Sequence, residues 1–401
     1  MQIAAIILAS FLLISNIYCD RTIEVVLNPN CNECGKPDEN GSYNNLVYVK
    51  AIGSNDTIHM MYSNIDSFTI MMFKTDLNTT VSINSTDLLS KNASQMYNSI
   101  TFSKPPTESF GYAFPIIYEF NDTNGDADLT KVTANQTLSH LTSNLVWKPY
   151  KENSNTSGVF EGTYGGSNSN GSFKFVLRYL GKSLRDDELP RLLLNAESVS
   201  IDFVIDQINA TFKDAKFALN VVFLSNYQQA KLDSKRTLDD EYTPATFRLW
   251  HVEVDDDQSL THNYFQWRPI FYYNMPKNVE NSTITRQYTL NTVKTDAQNE
   301  PSMYGIGSCF FESSKSFNSL NISFGIEGDE KNGYFYPQYN YSIWTFSIGM
   351  GSAPNEKMSS IVSLVIFVGF GLPALVIVIG LAVMIFKKLR RNSNYSEFQQ
   401  L

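Results

Sequence analysis

Asp239, Asp240 and Glu241, followed by Tyr242-Thr243-Pro244, form the stretch of this chain best suited to chemistry. Paired carboxylates can hold a cation, or divide acid and base roles as glycosidases do. Consecutive side chains point apart, however, and a candidate strand begins at Thr246, so a solvated or capping loop is the plainer reading. Asp255-Asp256-Asp257 reads in the same way, as a charged turn. Gln266-Trp267-Arg268-Pro269 sets a guanidinium beside an indole. Either Arg268 stacks on Trp267 in a packed loop, or the two line a ligand pocket. His59, His140, His251 and His262 fall in no metal-ligand spacing, and no Gly-x-Ser-x-Gly elbow is present. His251, within Leu249-Trp250-His251-Val252, reads as a strand residue. The expectation is a protein that is not an enzyme and holds no metal or cofactor.

The remaining signals concern location and surface. Asn-x-Ser/Thr occurs at Asn40, Asn55, Asn78, Asn84, Asn92, Asn121, Asn135, Asn155, Asn170, Asn209, Asn281, Asn321 and Asn340. Thirteen such sequons before the apolar C-terminal run imply a heavily sugared surface that hinders proteases. A further one, Asn394, falls in the tail. Ile361–Phe386 is 26 residues of almost unbroken apolar character inside an uncharged run from Ser359. About 20 such residues span a bilayer core. Lys387, Lys388, Arg390 and Arg391 follow at once, so the positive-inside rule puts the C-terminus in the cytosol. Gly369, Gly371 and Gly380 would let another helix approach, and Pro373 would kink the span.

In the tail, Tyr395 and Phe398 form Tyr-x-x-apolar, a pattern that fills two neighbouring pockets when bound as an added strand. On a short tail beside a membrane, this is the form of signal that clathrin adaptors read. At the other end, Ile3–Ile17 is apolar and too short to span. Residues 1–19 read as a signal peptide cleaved after Cys19, although the basic n-region is missing. The expected order is then an ectodomain over 20–357, a span over 359–386 and a tail over 387–401.

The elements between these signals repeat with period two. Phe173, Phe175, Leu177 and Tyr179 alternate with Lys174 and Arg178; Val199, Ile201, Phe203 and Ile205 share one face. Phe217–Phe223 and Leu320–Ile326 follow the same rule, which would put Asn321 and Ser323 on the solvent face. Thr22–Leu27, Leu46–Ile52, Phe68–Phe73, Thr246–Val254 and Ser342–Ile348 are further candidates. Such runs, with Gly, Asn, Asp and Pro between them, predict an all-β, sandwich-like ectodomain. Apolar residues at 43% and aromatics at 13% suffice for a large core, and roughly 340 residues make one large or two smaller β domains. A subdomain boundary is expected near 181–195. Helical candidates are few: Ser183–Asn195, which contains Pro190, and Tyr227–Leu238. Gly158–Gly171 reads as an exposed loop. The net charge of −9 disfavours a nucleic-acid partner. Once Cys19 is removed, Cys31, Cys34 and Cys309 remain. A local Cys31–Cys34 bridge and a pairing of either with Cys309 both stay open.

Four stretches together resemble the glycosylated lysosomal membrane protein family: Asp239–Phe247, Gln266–Tyr272, Asn321–Gly325 and Tyr395–Gln399. The resemblance implies a lysosomal, single-pass type I protein serving as accessory subunit of a multi-pass transporter of the major facilitator superfamily. In that family the transporter exports small peptides, and the accessory protein stabilises it and shields it from proteases with its glycans. Vertebrate members carry more lumenal cysteines, one of them before the position of Asn321. Ser316–Leu320 has none here, so their disulfide scheme does not carry over. Two other classes stay open at this level: a membrane-tethered lumenal hydrolase and an endosomal or lysosomal cargo receptor.

Overall fold

A computed structural model describes residues 20–90, 92–164, 171–225, 229–237, 248–256, 259–294, 304–311, 316–326, 334–355 and 364–397. Strands make up 49% of it and helix 16%, an all-β protein with one C-terminal apolar helix. Two compact units result, one ending at Pro354 and one beginning at Asn355.

The first unit is built from antiparallel strands in two layers. In one layer, Thr22–Leu27, Leu46–Ile52, Asp56–Ser63, Thr69–Asp76 and Glu108–Ala113 pair in that order. Strand Ala215–Leu224 extends it. That strand pairs with Glu108–Ala113 and Ile116–Asn121 on one edge and with Ser316–Ile326 on the other. The other layer runs Ser157–Thr163, Ser172–Tyr179, Ser198–Asp206, Tyr341–Met350, Ser259–Trp267, Arg248–Asp256 and Gln229–Arg236. Strand Ile270–Tyr272 bonds to both Tyr341–Met350 and Ser282–Gln287 and joins the layers along one side. Rings from the two inner faces meet: Phe68 stacks on Phe175 at 3.9 Å, and Tyr62 meets Tyr179 at 5.2 Å. Farther along, Phe114 meets Phe346 at 5.6 Å and Phe203 meets Phe324 at 6.1 Å. These residues belong to one continuous core.

The first layer is covered on both faces. Its outer side packs under the hairpin Val81–Ile83/Ile100–Phe102 and the helical turns Ser85–Leu88, Ala93–Tyr97 and Gly307–Phe310. Met60 and Met61, like Met71 and Met72, are therefore buried on opposite faces of their strands. Double cover erases the apolar–polar alternation that betrays a half-exposed strand. Asp56–Ser63 accordingly escapes period-two reading.

Residues 181–195 join two paired neighbours, Ser172–Tyr179 and Ser198–Asp206, and the chain stays in one compact unit there. Four sequence expectations are corrected. In place of a helix, Ser183–Asn195 contains the two-stranded hairpin Leu184–Arg185/Leu193–Leu194, because Pro190 turns the chain back. The second helical candidate is the strand Gln229–Arg236, whose polarity suits a layer edge. Within the expected loop Gly158–Gly171, residues up to Thr163 are strand. A Cβ on Gly158 would stand 1.7 Å from Tyr150 Oη, so this glycine admits a ring that crosses its strand. Finally, Ser323 is fully buried and donates to Ala127 O, while Asn321 is half-buried. The face assigned to solvent is thus largely covered.

Phe175→Ala should lower stability by about 3–5 kcal/mol, since it removes a ring packed between the layers. Leu27→Ala, at a side chain 46% exposed, should change stability by less than about 0.5 kcal/mol. Thermal or denaturant unfolding checks both, and equal losses would refute the assignment of the core.

Candidate functional site

Turns at the ends of the strands carry most sequon asparagines. Asn40, Asn55, Asn78, Asn84, Asn92, Asn135, Asn155, Asn209 and Asn340 are exposed. Asn55 sits in the turn before Asp56–Ser63, and Asn155 in the turn before Ser157–Thr163. Asn340, with φ of 52°, precedes Tyr341–Met350. Asn84 caps the turn Ser85–Leu88, its Oδ1 accepting from the Thr86 and Asp87 N–H groups. Its Nδ2 donates to Asp87 at 2.6 Å, and one amide hydrogen stays available for a sugar bond. Asn121, Asn281 and Asn321 are half-buried, and Asn321 accepts from Asn220 at 2.6 Å. Asn170 lies outside the described residues.

The residues considered for catalysis are dispersed. His59 is buried between Tyr48 Oη at 2.7 Å and Thr75 Oγ1 at 2.9 Å, with the Tyr48 ring stacked on it. Burial, with Lys50 nearby, pushes its pKa down to about 4, so it stays neutral. His140 sits 3.3 Å from the buried Glu119, which also accepts the Phe212 N–H at 3.2 Å. His251 is buried on the other layer, and burial lowers its pKa. Among the described residues, no three His, Cys, Asp or Glu side chains gather as metal ligands. The segment Asp239–Phe247 lies outside the described residues, as does Asp257.

Trp267 and Arg268 are both fully buried. Trp267 packs on Trp250 and Trp344 at 6.5 and 6.3 Å, while Arg268 reaches Thr237 at 3.3 Å. Cys31 and Cys34 form a disulfide, the local alternative. Sequence reading missed Lys216 and Asp122, a buried ion pair at 2.6 Å that also engages Gly125 O. A lysine inside an apolar strand was the available signal, because a buried ammonium requires a partner.

In the second unit, Leu364–Lys388 is long and apolar enough to cross a membrane, and helix continues to Glu397. Phe367–Gly371 forms a π turn before Pro373. The ring of Pro373 removes one N–H and crowds the preceding turn, and a widened turn relieves that clash. Tyr395 lies in the last turn of helix, whereas pocket binding uses an extended peptide; Phe398 is outside the described residues. A terminal turn opens at little cost.

A family model described as glycosylated lysosomal membrane protein matches residues 45–391, most of the first unit and the whole apolar helix. The chain belongs to the glycosylated lysosomal membrane protein family. Similar proteins include glycosylated lysosomal membrane protein B of Xenopus laevis, 26% identical over 366 residues and 88% of each chain. The Homo sapiens protein is 24% identical over 383 residues, 91% of this chain and 88% of its own. The Danio rerio protein is 25% identical over 349 residues, 84% and 82% of the two chains. The protein is thus a lysosomal membrane glycoprotein by family, with one helix able to cross a membrane.

That setting makes acid tolerance testable. Folded His59 resists protonation down to about pH 4, whereas the unfolded side chain takes up a proton near its ordinary value of 6.5. The unfolded state therefore binds more protons in that window, and stability falls as pH drops through it. His59→Gln should remove this contribution, of order 2 kcal/mol between pH 7 and 4.5. Melting curves of the two proteins should converge on acidification; parallel curves would mean that native His59 takes up protons normally.

Proposed function

We propose that the protein is a non-enzymatic accessory subunit that stabilises a multi-pass lysosomal transporter of the major facilitator superfamily and shields it from proteolysis. The family resemblance supplies the partner class. The observation that carries the shielding role is the set of nine exposed sequon asparagines, most of them in turns and loops between strands. Glycans at such turns stand off the surface and block proteases where cleavage is easiest.

In this reading the chain is a single-pass type I protein. All thirteen asparagines before the span face the lumen, and a clathrin adaptor reads Tyr395 and Phe398 in the cytosol. The span and a glycan-free lumenal patch hold the transporter.

Affinity purification of the tagged protein from lysosomes in mild detergent should co-isolate a stoichiometric multi-pass transporter, itself depleted when this protein is deleted. A protein recovered alone would favour a hydrolase or a cargo receptor. Asn→Gln at the nine exposed sequons should shorten the transporter's lifetime several-fold, with rescue by lysosomal protease inhibitors. Tyr395→Ala should divert the protein to the cell surface; unchanged lysosomal residence would sink the sorting role.

A further inference from the structure

The outer face of the second layer carries an unbroken row of polar side chains. Arg178 pairs in register with Ser200, Ser200 with Ser347, Ser347 with Gln266, and Gln266 with His251. Five consecutive strands thus each place a polar residue at the same level. Ser200, Ser347 and Gln266 are 0% exposed and His251 is 2% exposed, so the row is sealed from bulk solvent. Its cover includes the hairpin Leu184–Arg185/Leu193–Leu194, whose Leu192 and Leu194 pack on Leu249.

The hairpin is fastened to the row at two points. Asp186 accepts from Ser200 Oγ at 3.0 Å and from the Arg178 guanidinium at 3.0 Å. Gln266 Nε2 donates to Leu193 O at 2.7 Å. The carbonyl fixes the orientation of the Gln266 amide, because a flip would set two oxygens against each other. Gln266 Oε1 is therefore turned away from Leu193, and it has no partner among the described residues. Neither has Ser347 Oγ on the strand to one side, nor His251 Nδ1 on the strand to the other.

Three adjacent buried polar atoms without partners call for a common cause. A buried polar atom left bare destabilises a fold, and native interiors hold only a few of them. The Cβ atoms of residues opposite each other on neighbouring strands stand about 4.5–5.5 Å apart, and these three polar atoms make no direct bond to one another. One oxygen with two hydrogen bonds of about 2.8 Å joins polar atoms that do not reach each other directly. The chemistry of the lining also matches. Gln266 Oε1 is an acceptor, neutral His251 can accept at Nδ1, and Ser347 can donate. Water offers two donors and accepts in return.

The geometry points to a built hydration site beneath the hairpin. In it, an ordered water bridges Gln266 Oε1 to Ser347 Oγ and reaches His251 Nδ1 directly or through one further water. The site links the strands Tyr341–Met350, Ser259–Trp267 and Arg248–Asp256 to one another beneath the hairpin. It gives Gln266, the first residue of the stretch Gln266–Tyr272, a role distinct from the core packing of Trp267.

Structure determination of the full chain in detergent, at a resolution that shows ordered water, tests this directly. Solvent density within about 2.7–3.2 Å of both Gln266 Oε1 and Ser347 Oγ is expected. A direct bond between these side chains, or an empty gap, would overturn the proposal. Ser347→Ala supplies a second reading by sign. If Ser347 holds the water, the variant strips the water of a partner and the melting temperature falls. If the hydroxyl is an orphan, removing it leaves the melting temperature unchanged or raises it. The proposal requires both the density and the fall, and failure of either one rejects it.

Discussion

Contact between aromatic rings across the two layers is the constraint on which the rest of the molecule depends. Phe68 is the clearest case. It stacks on Phe175, meets Phe160 edge-on at 5.2 Å and touches Phe114 at 5.7 Å. Each such side chain contributes about 1.5–3 kcal/mol by leaving water, and ring geometry adds a little more. Because the rings interdigitate, neither layer can slip by one residue without sending a whole row of phenylalanines to the wrong face. The register of Ser172–Tyr179 against Ser198–Asp206 is held in this way. That register in turn aligns the polar row on the opposite face. The turns that carry Asn55, Asn155 and Asn340 are also placed by it, since they are the ends of registered strands.

How much of this was legible in the sequence depended on how many faces of a strand are covered. Thr22–Leu27 and Leu46–Ile52 matched residue for residue, and the alternation of Phe173, Phe175, Leu177 and Tyr179 falls within Ser172–Tyr179, because each alternates between core and a more open face. Asp56–Ser63 was lost because its second face lies under a hairpin and three helical turns contributed by distant segments. No local pattern contains that information. Gly158 and Gly162 misled for a related reason. Glycine commonly marks loops, but here it makes room for Tyr150 and for Leu145 with Trp147, a requirement set by tertiary contacts. Among candidate site residues, the exposure of most sequons was legible, since Asn, Gly and Thr cluster at turns. The burial of Trp267 and Arg268 in the core and the Lys216–Asp122 pair were not, because each depends on strands distant in sequence.

The ion pairs of the first unit suit an acidic setting. Burial alone would raise the Asp56 carboxyl, but Arg21 and Lys74 hold it below its usual range. Glu161 is depressed in the same manner, with Lys148 and Lys174 outweighing its burial. A carboxylate with a depressed pKa contributes stability above its ordinary value and loses it only as pH falls through the depressed one. These links therefore persist through moderate acidity and fail in stronger acid. Arg21 binds both Asp56 and Glu197, so it ties the N-terminal strand to the segment that enters Ser198–Asp206. A guanidinium stays charged throughout the range, and acid can break this junction only by protonating the carboxylates. The neutral, desolvated His59 acts in the same sense but at higher pH. The acid limit of the fold is then set first by a buried imidazole and only later by its carboxylates, an order that places the weak point in the outer face of the first layer rather than in the aromatic core.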